Sequence, residues 1–196
     1  HPEKAVLDTP DTLSHLAEVL LDMTGIQTVE RSETISLAEL TEEVFCDLAS
    51  IADQKQIELI QNEGDCTVTG SYLLLYRAVY NLVENAIKYN HPSGKVTVNI
   101  HPEKAVLDTP DTLSHPYPTN CAFVEISDTG LGISPEYQEK IFAPFFRVDK
   151  SRSRAMGGAG LGLALVAEIA RQHGGQVKVL ESSEKGSTIA LMLPMI

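Results

Sequence analysis

Apolar positions divide the chain into helical and extended stretches. Leu40, Val44, Leu48 and Ile51 recur at three- and four-residue intervals and predict a helix over residues 38–54. A longer amphipathic run carries Leu75, Val79, Leu82 and Ala86 on one side, predicting a helix over 71–89 that breaks at His91-Pro92-Ser93-Gly94. A further helix is predicted over 161–173 and a short one over 135–142. Alternating and β-branched segments predict strands near 34–37, 57–61, 67–69, 95–100, 121–127, 176–180 and 188–193. This order predicts an α/β (α+β) two-layer sandwich, with a mixed, mostly antiparallel sheet covered on one face by helices.

Residues 1–15 and 101–115 are identical, both reading HPEKAVLDTPDTLSH, while their flanks are unrelated. One perfect copy without neighbouring similarity reads as an insertion or an artificial feature, because structural repeats diverge and recur at a unit-sized period. In the first copy Thr9 and Pro10 can start a helix that continues through Leu13, Leu16, Val19, Leu20 and Met23. The second copy runs into Pro116 and Pro118, so residues 101–118 are expected to protrude as an inserted loop. The chain therefore divides into an N-terminal appendage, 1–30, and one domain over 31–196.

With 196 residues, 43% of them hydrophobic, such a domain can bury a core without disulfides or metals. Cys46, Cys66 and Cys121 are odd in number and show no C-x-x-C spacing, which points to reduced thiols in a reducing compartment. No run of about 18 apolar residues and no basic-then-apolar leader is present, so the expectation is a cytoplasmic chain without direct membrane contact, the parent protein possessing or lacking an anchor elsewhere. Acidic side chains outnumber basic ones 27 to 15, giving a net charge of -12 that excludes a nucleic-acid partner. A phosphate-bearing ligand must then meet a local cluster of donors.

Four segments carry candidate chemistry. Asn81, Asn85 and Lys88 share one arc of the long helix at i, i+4 and i+7; amide oxygen suits Mg²⁺ and an ammonium suits phosphate. Glu84 borders the same arc and can take a proton. Asp128-Thr129-Gly130-Leu131-Gly132 fixes an acceptor carboxylate at a strand end, able to accept from an adenine amino group, beside a backbone that a flat ligand can approach. Gly157, Gly158, Gly160 and Gly162 run into the helix start at Leu161, where free N–H groups attract phosphate, in a spacing that matches neither a Walker loop nor a dinucleotide fingerprint. Ahead of them Phe142, Pro144, Phe145 and Phe146 anchor a segment bearing Arg147, Lys150, Arg152 and Arg154, a composition suited to a lid over nucleotide. Singly, each segment has an ordinary alternative: a solvated helix face, an Asp-Gly turn, an exposed basic loop.

Their order settles the choice. NLVENAIKY (81–89), DTGLG (128–132), FAPFFR (142–147), GAGLGL (158–163) and Gly186-Ser187-Thr188 resemble the nucleotide-binding boxes of sensor histidine kinases, in their catalytic ATP-binding domain of the GHKL superfamily, over about residues 33–196. The resemblance implies a Bergerat fold that binds ATP with Mg²⁺. Asn85 would ligate the metal, Asn81 would support the metal and phosphate geometry, Lys88 and Arg147 would meet phosphate, and Tyr89 would pack near adenine. Asp128 would recognise the adenine amino group, Gly130 and Gly132 would shape its pocket, and Thr188 would place its hydroxyl near the base. Gly158, Gly160, Leu161 and Gly162 would form the phosphate end, and Glu84 would act as base toward the acceptor. Hydrolysing relatives of the chaperone, topoisomerase and mismatch-repair type carry a Glu four residues before the metal-binding Asn. Asn81 stands there in this chain, which favours transfer to a protein side chain.

Residues 16–23 (LAEVLLDM) look like the end of a dimerisation helix, yet no His is followed by an acidic residue and Arg-x-Pro. The acceptor histidine is thus expected in a dimerisation domain outside the sequence, the isolated chain is not expected to phosphorylate itself, the parent is expected to be a homodimer, and a response regulator would be an indirect partner. His173, before Gly174, fits a helix-capping role. The alternatives carried forward are a GHKL-fold ATPase, an anti-sigma-type serine kinase, and a nucleotide-sensing or docking module without activity.

Overall fold

The computed structural model describes residues 25–107, 118–148 and 160–195. β1 (Glu33–Ser36) leads directly into α1 (Leu37–Gln54), with Ser36 at the junction as N-cap, its hydroxyl accepting from Glu39 N–H at 3.2 Å. β2 (Glu58–Gln61) and β3 (Thr67–Gly70) follow, and β3 returns antiparallel to β1. α2 (Tyr72–Lys88) starts from the buried cap Ser71 and is the long amphipathic helix of the pattern above.

Four further strands enclose α3 (Gly162–Gln172): β4 (Lys95–Ala105), β5 (Thr119–Asp128), β6 (Gln176–Ser183) and β7 (Gly186–Pro194). The main sheet has the order β2-β4-β5-β7-β6, parallel between β2 and β4 and antiparallel elsewhere. Strand alternation sends Val96, Val98, Ile100, Ala122, Val124, Ile126, Leu191 and Leu193 to one face, where they form a single core with Leu75, Val79, Leu82, Val83 and Ile87 of α2 and with Val166 and Ile169 of α3. The helices thus cover one face of a mostly antiparallel sheet, and α2 packs between α1 and α3.

Two expectations need revision. Strand β4 runs five residues into the duplicated segment, pairing His101 with Phe123 and Ala105 with Thr119, and Leu107 is buried against Cys121, Phe123, Ala190 and Met192 on the opposite face. Residues 101–107 are therefore sheet and packed connection, and residues 108–117 lie outside the described ones. Pro102 is tolerated because β2 pairs with β4 only as far as Val98, so beyond it β4 is an edge strand with no N–H required on that side. The predicted short helix is instead two 3-10 turns, Pro135–Tyr137 and Lys140–Phe142. The helix expected over residues 9–23 lies outside the described residues.

His173 joins two helices. Its Nε2 accepts from Ser71 N–H at 3.0 Å and its Nδ1 donates to the Ile169 carbonyl at 2.8 Å, so the end of α3 is tied to the cap of α2 by a neutral imidazole. Burial lowers its pKa, with the nearby charge of Arg31 acting in the same direction.

Candidate functional site: the C-terminal half of α2 and its surrounding turns

Burial of the apolar side of α2 turns Asn81, Glu84, Asn85 and Lys88 toward a half-exposed side. Asn81 donates from Nδ2 to the Arg77 carbonyl at 2.8 Å, which leaves its Oδ1 against the first residue of α3: a methyl group on Gly162 would stand 2.8 Å from it. Leu161, the N-cap of α3, is buried and apolar, and among the described residues no side chain caps the start of that helix.

The cations converge on the same end of α2. Burial lowers the pKa of Lys88; the Glu84 carboxylate opposes this, while Arg147 and Lys55 add to it. Lys55 also donates to the main-chain oxygen of Lys88 at 2.9 Å, holding the last turn of the helix. The Lys88 ammonium lies 5.6 Å from the centroid of the Tyr89 ring, whose own pKa burial raises and Arg147 lowers. Arg147 passes over Gly160, whose φ of +72° suits only glycine and where a Cβ would come within 2.8 Å of the Phe146 carbonyl. Phe145 N–H donates to the Gly160 carbonyl at 3.0 Å, closing the base of this segment. Nη2 of Arg147 is buried and has no hydrogen-bond partner among the described residues.

Asp128 ends β5. Its Oδ1 accepts from Gly130 N–H at 2.7 Å, and the N–H of Ser187 on β7 also reaches the carboxylate. Burial nevertheless dominates and pushes the Asp128 carboxyl above the ordinary aspartate value. The turn that follows is docked on both sides: Leu131 N–H donates to the Tyr89 carbonyl at 3.2 Å, and Gly132, at φ +71°, lies so close to β6 that a Cβ would sit 1.8 Å from the Ser183 carbonyl. A cavity of about 350 Å³ opens beside Asp128, walled by Glu181, Ser182, Ser183, Lys185, Gly186, Ser187 and Thr188.

The predicted residues thus form a connected chain from Gly162 through Asn81, and from Gly160 through Arg147, Lys88 and Tyr89 to Gly130 and Asp128. Asn85 shares their face of α2 but, like Gly160, is not a wall of the cavity beside Asp128. Gly158 lies outside the described residues. Thr188 walls the same cavity as Asp128, while its hydroxyl bonds that of Ser127 at 2.8 Å across the sheet, on the face away from the helices. Ser187, 6% exposed and directly opposite Asp128, is the hydroxyl on the helical side. The alternation of Ile189, Leu191 and Leu193 toward the core carries the signal that identifies Ser187, since odd-numbered positions of β7 share its face.

A strand-end carboxylate, an amide-bearing helix and an uncapped helix start beside clustered cations define a nucleotide-binding module. Residues 70–196 match the family described as histidine kinase-, DNA gyrase B-, and HSP90-like ATPase, and the chain belongs to that family. Within it the chain is a catalytic ATPase domain of the sensor histidine kinase type. It is 31% identical to the sensor-like histidine kinase SenX3 of Mycobacterium tuberculosis (strain CDC 1551 / Oshkosh) over 99% of its own length and 44% of that protein. It is 35% identical to the sensor histidine kinase CpxA of Escherichia coli (strain K12), over 84% of this chain and 33% of that one. The chain therefore spans less than half the length of these relatives. Among solved structures, the mycobacterial sensor histidine kinase MprB superposes with a TM-score of 0.65 at 27% identity, covering 83% of this chain and 97% of that one.

Proposed function

We propose that this domain binds Mg-ATP at the face of α2 and transfers the γ-phosphoryl group in line to an imidazole nitrogen of a dimerisation domain outside the chain. The observation that carries this reading is the buried Nη2 of Arg147, near Lys88 and without a partner among the described residues. A buried donor without an acceptor is costly, and in a chain of net charge -12 a phosphate group is the acceptor such a cluster fits.

The donor set suits ATP along its length. Asp128 accepts from the adenine amino group with Ser187 beside it, Tyr89 packs near the base, and Lys88, Arg147 and the N–H groups at the start of α3 neutralise the phosphates. A divalent ion would be held by the amide oxygen of Asn85 together with phosphate oxygens, because hard Mg²⁺ takes oxygen ligands and is bound through few protein groups when a triphosphate supplies the rest. Mg²⁺ supplies charge neutralisation on the triphosphate when bound. Asn81 orients the site through Gly162, and because an amide takes up no proton it leaves water unactivated, which favours transfer over hydrolysis. Glu84 stands one position before Asn85 and receives the proton of the acceptor imidazole.

Transfer requires the histidine-bearing dimerisation domain, places the parent protein as a homodimer, and makes a response regulator an indirect partner. The domain works on the cytoplasmic side, without nucleic acid and without membrane contact of its own. Among the described residues no helix is long and apolar enough to cross a membrane. Calorimetric titration with Mg-ADP, followed by mixing with a separate dimerisation domain and [γ-³²P]ATP, tests the proposal. Acid-labile label on that domain is expected; absence of adenine-nucleotide binding, or steady phosphate release without labelling, would sink it.

A further inference from the structure

We propose that Ser182 is a positioning residue for the adenine end of the site, acting on the glycine turn and on Ser187 at once; this deepens the nucleotide reading above and rests on it. Its hydroxyl accepts from Ile133 N–H at 2.6 Å, directly after the turn of Asp128–Gly132, and lies 3.2 Å from the hydroxyl of Ser187. Ser187 in turn faces Asp128 and gives its N–H to that carboxylate. One side chain on β6 therefore ties the turn that follows the carboxylate to the strand that faces it.

The register of β6 shows how this side chain comes to be there. Val179 pairs with Ile189, but Glu181 pairs with Thr188 and Ser182 with Ser187, so one extra residue of β6, Leu180, is accommodated as a bulge. Continued without the bulge, the ladder would bring Leu180 opposite Thr188 and Glu181 opposite Ser187. Glu181 would then stand on the face of the sheet that carries Asp128, across β7 from it. The irregularity exchanges an anion for a hydroxyl at this position, and bulges beside functional sites commonly re-aim a side chain in this way.

The proton count fits a reader of adenine. Ile133 N–H occupies one lone pair of the Ser182 oxygen; when Ser182 gives its own proton to Ser187, the Ser187 proton is left for an acceptor atom of the base. A donor from Ser187 beside the acceptor Asp128 matches the acceptor-and-donor edge of adenine and opposes that of guanine.

The experiment compares the 196-residue chain with Ser182→Ala and Ser182→Thr by calorimetry, using Mg-ADP, Mg-GDP and Mg-tripolyphosphate as probes and the thermal midpoint as a check on folding. Ser182→Ala is expected to weaken ADP binding about five- to tenfold and to narrow the preference for ADP over GDP, with tripolyphosphate affinity unchanged. Ser182→Thr, which keeps the hydroxyl at a half-exposed position, is expected to restore both. Equal ADP affinity in the alanine variant, a parallel loss of tripolyphosphate binding, or failure of threonine to restore binding would overturn the proposal. A native chain that binds none of the three probes would instead overturn the nucleotide reading on which it rests.

Discussion

Asn81 and Gly162 meet so closely that a methyl group on the glycine would stand 2.8 Å from the asparagine Oδ1, while the other end of that amide is held by the Arg77 carbonyl. The start of α3 is thereby set against α2 by two residues 81 positions apart. Gly162→Ala is expected to force this contact open and to weaken Mg-ADP binding at least fivefold, with a smaller change in thermal midpoint. Unchanged affinity in a titration would show that the phosphate end does not depend on this spacing.

Arg147 offers a test in which stability and binding part company. Removing a buried donor that has no partner among the described residues relieves a desolvation cost, so Arg147→Met should leave the nucleotide-free chain as stable as the native one or slightly more so. The same change should reduce Mg-ATP affinity about tenfold or more, through loss of a charge-assisted contact. Thermal scans with and without nucleotide measure both effects, and a destabilised free protein with full affinity would contradict the assignment.

Burial raises the Asp128 carboxyl, and the sign of its linkage follows from that shift. A carboxyl with a higher pKa folded than unfolded supports the fold at a pH below its unfolded value, and this contribution is lost as pH rises through the folded value. Asp128→Asn should therefore match or exceed native stability at pH 7, with no such advantage below about pH 4, where both states of the native chain are protonated. ADP affinity should drop in the variant at pH 7. In the native chain it should begin to fall at a pH above that of an ordinary aspartate. Denaturant melts at two pH values together with an affinity profile decide the matter.

His173 predicts the opposite pH trend for the scaffold. Its lowered pKa reflects burial in the neutral form, and protonation would remove the acceptor for Ser71 N–H. Stability should be complete above about pH 6.5 and decline as pH falls through the folded pKa. His173→Gln should flatten that decline, although Gly70 leaves little room for adjustment, since a Cβ there would lie 2.7 Å from the ring. A native chain equally stable at pH 7.5 and pH 5.5 would refute the prediction.

Local pattern carried most of the fold. The periods of Leu40–Ile51 and Leu75–Ala86 and the break at His91–Gly94 identify α1 and α2 within one or two residues, because an amphipathic stripe leaves a direct record in the order of residues. The same holds for Asn81, Asn85 and Lys88, whose shared arc follows from helix geometry alone. Residues 101–105 are not legible as a strand for a physical reason: nothing within HPEKA favours one, and only pairing with residues 119–123 makes it one.

What the order of residues determined by itself was the set of elements, the side of α2 that carries amides and charge, and the family. Tertiary structure alone decided that Ser187 rather than Thr188 shares the helical face with Asp128, that Arg147 keeps a buried donor without a partner among the described residues, and that a bulge brings Ser182 rather than Glu181 to Ser187. The physical reason is that periodicity records a residue's relation to its own element. Register between strands and the burial of a charge depend on which distant segment lies opposite, and no local pattern encodes that partner.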